Sequence, residues 1–125
     1  MPTIKTASSP VTGYQQQNAH SGLIMMDGSY YEPAALNGTF ICTSAHPSLM
    51  KLDPGGANRD VTLDDIEDAA GMHRIIANGA DAAENLVVKN PAGSTIGTIN
   101  QNEMGRFYCD GTTWSLVYIQ TIALS

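Results

Sequence analysis

Carboxylates offer the most chemistry in this sequence, and they are densest between residues 60 and 68. The group comprises Asp60, Asp64, Asp65, Glu67 and Asp68. Carboxylates this close together could hold a hard cation, or supply an acid and a base for proton transfer. The stretch lacks, however, the alternating oxygen ligands and the central glycine of an EF-hand loop. We therefore expect a solvated turn leading into a short helix, not a metal or catalytic site.

Residues 55–63 resemble a single calcium-binding nonapeptide of the β-roll type, with Asn58 in place of the usual glycine. A β-roll binds calcium between successive repeats, and residues 64–72 do not repeat the pattern. We therefore predict neither a calcium site nor a repeat architecture from this stretch.

Nitrogen and sulfur ligands are also poorly spaced for a metal. His20, His46 and His73 lie far apart, and none has a partner at the spacing of a zinc site. Cys42 and Cys109 are the only cysteines, which is too few for a secreted disulfide scaffold. We expect two reduced, partly buried thiols, no metal and no cofactor.

The motifs of nucleophilic catalysis and phosphate binding are absent from the sequence. Ser94 stands one position too early for a G-x-S-x-G nucleophile elbow, and it falls in a predicted hairpin. Neither G-x-G-x-x-G nor G-x-x-x-x-G-K occurs. The sequence therefore predicts a protein that is not an enzyme and has no small-molecule substrate.

The elements that position these residues are predicted to be short β-strands. Asp27-Gly28, Asn37-Gly38 and Asp110-Gly111 are dipeptides typical of tight hairpin turns, and residues 90–94 predict a longer hairpin loop. Short, β-branched apolar runs between turn residues lie at 23–26, 39–43, 49–52, 61–63, 74–77, 86–89, 95–99, 106–109 and 114–119. Strand starts about 8 to 12 residues apart are typical of a sandwich or barrel. We predict an all-β fold, a small antiparallel β-sandwich of jelly-roll-like form.

At most one short helix is expected. Residues 63–71 could form one or two turns, with Thr62 or Asp64 as the N-terminal cap and Gly71 as the stop.

Two regions differ in composition. Residues 1–21 are rich in Ser, Thr, Pro and Gln without apolar periodicity, and we predict an extended N-terminal arm. Residues 22–125 are predicted to form the β-sandwich body. The first residues lack the apolar core of a secretory signal, and no run reaches the 18 or so apolar residues of a membrane span. We therefore expect synthesis in a cytoplasm and no membrane partner.

Charge is sparse and acidic. Charged residues make up 14% of the chain, and 12 acids against 6 bases give a formal net charge of -6. A chain with this excess of acids lacks the basic patch that binds a phosphate backbone, so nucleic acid is not an expected partner. A weakly charged surface does suit a protein whose faces are buried in contacts with other proteins.

Aromatic residues are the remaining candidates for binding. Tyr30 and Tyr31 are adjacent, and neighbours in a strand point to opposite faces, so one of them is expected to face outward as a partner contact. Phe107 and Trp114 flank the Asp110-Gly111 turn and are predicted to form a cross-strand core pair.

Several stretches together resemble a β-sandwich module of tailed-bacteriophage virion proteins, particularly head decoration (cement) proteins and also tail appendages. The stretches are residues 52–63, Gly71 with 75–78, residues 86–88 with Gly93, and residues 107–114. The resemblance covers about half of the chain, and the matching positions are turns and strand edges. It therefore implies no catalytic residues.

The resemblance implies a small structural virion protein without catalysis, made in the host cytoplasm and located on the capsid surface. It implies the major capsid protein as partner, a homotrimer, and a role in bridging capsomers. In that case Ile4, Val11 and Tyr14 of the arm would be contacts, together with Tyr30 and Tyr31 of the body. The alternative is a phage tail fibre or appendage domain that binds a host receptor or glycan.

Overall fold

The computed structural model describes residues 30–122, and these residues form strands with one short helix. The strands are β1 (Phe40–Ile41), β2 (Leu49–Leu52), β3 (Arg59–Thr62), β4 (His73–Asn78), β5 (Leu86–Lys89), β6 (Thr95–Ile99), β7 (Glu103–Cys109) and β8 (Trp114–Thr121), and the helix α1 is Ile66–Ala69. The prediction of an all-β protein with at most one short helix is confirmed.

The strands form two four-stranded sheets. The first sheet has the order β1-β3-β5-β6, and the second has the order β2-β4-β7-β8. From β1 to β5 the chain enters the two sheets alternately, so every second strand runs in the same direction. The pairs β1/β3, β3/β5 and β2/β4 are accordingly parallel. The predicted antiparallel pairing is wrong for these pairs, and it holds for β4/β7, β5/β6 and β7/β8.

Asn37-Gly38 was expected to be a hairpin turn, and it is not one. Phe40 and Ile41, which follow it, pair in parallel with Val61 and Thr62 of β3. Gly38 is not among the glycines with positive φ. The dipeptide therefore lies in an open bend before a strand that crosses to the first sheet. The Asp27-Gly28 turn and the strand at 23–26 lie outside the described residues.

The other two predicted turns are present. Residues 90–94 join β5 to β6, and Gly93 has a φ of 94°. Between β7 and β8, Gly111 has a φ of 95°, and Asp110 Oδ1 accepts backbone hydrogen bonds from Thr112 at 2.8 Å and Thr113 at 2.9 Å. Because the bonds from Thr113 and Thr112 favour the carboxylate, they lower the pKa of Asp110.

The helix α1 is shorter than the predicted segment and begins differently. Its N-cap is Asp65, which makes no side-chain capping bond. Thr62 is the last residue of β3, and the Asp64 carboxylate is bonded to Arg74, so neither predicted cap serves this helix. Gly71 follows the helix with a φ of 77°. No helix within residues 30–122 is long and apolar enough to cross a membrane.

The hydrophobic core centres on Phe107, which is completely buried. A Cβ atom at Gly97 would lie 3.2 Å from the Phe107 ring, and one at Gly105 would lie 3.0 Å from it, so both glycines make room for the ring. Trp114 is also buried, but it pairs with Cys109, whereas Phe107 pairs with Leu116. Phe107 and Trp114 are therefore not directly opposite each other as expected, but are diagonal neighbours on the same side of the sheet.

Candidate interaction surface

The carboxylates between residues 60 and 68 have separate roles. Asp64 is buried against Arg74, while Asp60 forms an ion pair with Lys89 at 3.1 Å. Asp65 is exposed at the start of α1. Within residues 30–122, no group of three or more His, Cys, Asp or Glu side chains is arranged to hold a metal ion.

The buried Arg74 and Asp64 pair is a structural joint. Arg74 Nε and Nη2 donate to the two carboxylate oxygens of Asp64 at 2.9 and 2.7 Å. The same guanidinium donates to three backbone carbonyls in the segment 43–47. Trp114 Nε1 donates to the Asp64 backbone carbonyl at 2.8 Å. Because every donor has a partner, the pair fixes the 43–47 segment and the start of α1 to the core.

A cleft of about 260 Å³ lies between this joint and the first sheet. Asp65, Asp68 and Cys42 are among the residues that line it. Burial raises the pKa of the Cys42 thiol to about 12, so the thiol stays protonated and is a poor nucleophile. Cys109 is buried as well, and both cysteines are free. They are buried more completely than the partly buried thiols that the sequence predicts.

His46 has a packing role. Its ring lies 5.1 Å from the Tyr31 ring and 4.9 Å from the Phe40 ring, measured between centroids. Its Nδ1 atom accepts a hydrogen bond from the backbone N–H of Thr43 at 3.0 Å. Burial and the nearby Arg74 guanidinium lower the pKa of His46, which favours the neutral ring. His20 lies outside the described residues.

One side of the second sheet faces away from the core, and we call it the tyrosine face. Strand register arranges its side chains in three rows across the sheet. The rows are Leu49, Ile75, Arg106 and Tyr118; Lys51, Ala77, Met104 and Gln120; and His73, Tyr108 and Ser115. None of these eleven residues is an aspartate or a glutamate. Glu32, on the segment next to β2, brings a carboxylate to this face 3.6 Å from Lys51. The eleven residues themselves carry none, although the chain has twice as many acids as bases.

Arg106 lies at the centre of this face. Arg106 pairs with Tyr118 of β8, while Tyr108 lies two positions along β7 on the same side. The two tyrosines are 36% and 45% exposed, so their rings are available to a partner. Arg106 Nη2 is 3.1 Å from Nδ1 of His73. Arg106 Nε is buried and has no hydrogen-bond partner among the described residues.

The outward side of the first sheet is different in character. Register places Asp60, Val87 and Thr98 in one row there, and Lys89 opposite Thr95 in another. The two charged side chains in these rows, Lys89 and Asp60, form an ion pair with each other. The row of Lys89 also contains Thr62 and, at the sheet edge, Ile41, which is 60% exposed. This face therefore carries threonines, a closed ion pair and one exposed aliphatic side chain, whereas the tyrosine face carries an arginine and two exposed tyrosines.

The predicted contact residues are distributed as follows. Ile4, Val11 and Tyr14 lie outside the described residues. Tyr30 is 50% exposed, and its hydroxyl donates to Glu32 at 2.8 Å. Tyr31 instead packs against the core and forms a parallel bridge with Met50. The expectation that one of the two tyrosines faces outward is confirmed, and that tyrosine is Tyr30.

Sequence reasoning missed the tyrosine face. The alternation in β7 was visible, because Phe107 and Tyr108 must point to opposite sides. What the sequence did not show is that β4 and β8 flank β7, which brings His73 and Tyr118 beside Arg106.

Comparison of the chain with protein-family models, with curated proteins and with solved structures finds no match.

Proposed function

We propose that this protein is a structural virion protein, a capsid decoration protein that binds the outer shell of a phage head and bridges capsomers to stabilise it. The observation that carries the proposal is the unequal character of the two outward sheet faces. Protein interfaces are enriched in tyrosine, methionine and arginine and depleted in aspartate and glutamate. The eleven residues of the tyrosine face include two tyrosines, one methionine and one arginine, and no aspartate or glutamate. The resemblance to phage head proteins supports the choice of partner.

The contrast between the faces also supports an orientation. The tyrosine face presents exposed Tyr108 and Tyr118 and would lie on the major capsid protein. The face with Asp60, Lys89 and Thr98 is suited to water and would point outward. Catalysis, nucleic acid, membrane and cofactor have no part in this function.

The finer features of the proposal concern fold and assembly. We propose that the two sheets are the layers of a β-sandwich of jelly-roll-like form, in which the outward faces would lie on opposite sides. A homotrimer would present three tyrosine faces at once. Binding through three linked sites holds a protein on the shell more strongly than one site does, even though the affinity of each site is unchanged. Binding several capsomers simultaneously is what would resist expansion or rupture of the shell.

Purified heads that lack the protein provide the test. The full chain is added, heads are sedimented, and the bound fraction and the temperature at which heads release DNA are measured. We expect saturable binding and a higher release temperature. Tyr108→Ala should weaken binding, whereas Thr98→Ala, on the other outward face, should not. Absence of binding, or equal binding by the two variants and the unaltered chain, would contradict the proposal.

A further inference from the structure

We infer that the tyrosine face binds a protein surface that presents a carboxylate to Arg106. The inference rests on the proposed function and names the chemistry of its binding surface. Its basis is the state of the Arg106 side chain, together with the composition of the ten other residues on the face.

Among residues 30–122, no acidic side chain forms an ion pair with Arg106. Lys51, the other strongly basic residue on this face, lies 3.6 Å from the carboxylate of Glu32. Arg106 Nη2 instead lies 3.1 Å from Nδ1 of His73, and the buried Nε has no partner among the described residues. A guanidinium has five N–H donors in a fixed plane. Within residues 30–122 the His73 contact is the one side-chain partner of Arg106, so the Nη groups keep donors for a partner.

A carboxylate fits this arrangement better than other acceptors. It can accept two parallel hydrogen bonds from a guanidinium, and such charge-assisted bonds are roughly twice as strong as neutral ones. The surrounding Tyr108 and Tyr118 rings would exclude water from the pair once a partner covers them. Arginine and tyrosine are two of the three residue types enriched among the residues that dominate binding energy at protein interfaces.

The same observations argue against a second copy placed face to face. A twofold axis that passes at Arg106 would bring the two Arg106 side chains together. The carboxylate on this face, Glu32, lies beside Lys51 and is already paired with it. Burial of unpaired like charges is strongly unfavourable. The partner surface is therefore a different one, and under the proposed function it belongs to the shell.

A saccharide is a poorer fit than a protein. Sugar hydroxyls need acceptors as well as donors, and the carboxylate on this face, Glu32, is already paired with Lys51. Leu49, Ile75 and Met104 are aliphatic side chains that lie in the same rows as Arg106 or next to it. These residues suit the apolar atoms of a protein surface, so the face combines an apolar layer with one central cation.

The test compares two charge reversals of equal size on opposite faces. Arg106→Glu alters the tyrosine face, and Lys89→Glu alters the other outward face and serves as the matched control. Both full-length variants are checked for an unchanged fold by thermal melting, and binding to purified heads lacking the protein is then measured by sedimentation. We expect about a 100-fold or greater loss of affinity for Arg106→Glu. Lys89→Glu should retain affinity within about threefold, because only its long-range charge effect remains.

Each other outcome has a defined meaning. Equal losses for the two variants, or none, while the unaltered chain binds heads, would overturn the inference and leave the proposed function standing. Failure of the unaltered chain to bind heads would overturn both. A change in oligomeric state of Arg106→Glu without heads, seen by light scattering, would assign the face to a second copy. Saturable binding of glucuronate oligosaccharides that requires Arg106 would assign it to a glycan, and either result overturns the inference.

Discussion

Arg74 is the residue on which the greatest number of side-chain hydrogen bonds in the described chain converge. It is 1% exposed, and it satisfies both oxygens of Asp64 and three backbone carbonyls. Replacing one partner of a buried ion pair leaves an uncompensated charge, which costs about 3 to 5 kcal/mol. We predict that Arg74→Met lowers the free energy of unfolding by this amount in urea titration. Adding Asp64→Leu should recover only part of it, because the three carbonyls still lack a donor. A loss below about 1 kcal/mol would contradict a structural role.

His46 gives stability a dependence on pH with a definite sign. Its pKa in the folded protein is lowered by burial and by Arg74, while an unfolded histidine titrates near about 6.5. The unfolded chain therefore takes up the proton first, and stability falls as the pH drops below about 6.5 until the folded pKa is passed. Asn at this position keeps an acceptor for the Thr43 N–H but does not titrate. Urea titrations between pH 5 and 8 should show that the free energy of unfolding falls less at low pH for His46→Asn than for the unaltered chain. The same dependence on pH for both proteins would refute this role of His46.

At the scale of elements, the close approach of the two sheets depends on glycine. A Cβ at Gly97 would lie 3.2 Å from Phe107 and 3.3 Å from Ile119, whereas one at Gly38 would meet nothing within 4 Å. Overpacking a filled core costs about 1 to 3 kcal/mol. Gly97→Ala should therefore lower the free energy of unfolding by about that amount, and Gly38→Ala should change it much less. Equal effects in chemical denaturation would show that the sheets are not in tight contact at this point.

The outer edges formed by β6 and β8 carry irregularities that limit unwanted pairing. The register of β5 with β6 skips Ile96, and that of β7 with β8 skips Val117. Extra residues of this kind bend an edge strand and interrupt its row of free backbone groups. The strand β8 has no charged residue, so this bulge is its main protection against adding a strand from another molecule.

Element type was the most predictable property of the chain. Predicted runs at 49–52, 86–89 and 95–99 coincide with β2, β5 and β6, because short apolar runs between turn residues, β-branched in β5 and β6, have few alternatives. Strand direction was not predictable in this way. Whether Asn37-Gly38 joins two paired strands depends on which sheet the next strand enters, and that choice is made by contacts distant in sequence. The partner of Asp64 was missed for the same reason, since Arg74 meets it only through tertiary packing.

At the scale of the whole molecule, the central feature is a body with two unlike outward faces. Composition alone showed a weakly charged surface, but it could not show that the acids are absent from the eleven residues around Arg106. Separation of this kind requires the strand order β2-β4-β7-β8, because residues from four distant stretches form one surface. The proposed binding surface is therefore a property of the topology.

The most direct test of the proposed function is the position and orientation of the protein on a head. Cryo-electron microscopy of heads decorated with the full chain would show both at once. Our account predicts density on the outer shell, with Tyr108 and Arg106 against the major capsid protein and Thr98 directed to solvent. Density only on the tail, or a body on the shell with Thr98 inward and the tyrosines outward, would contradict it.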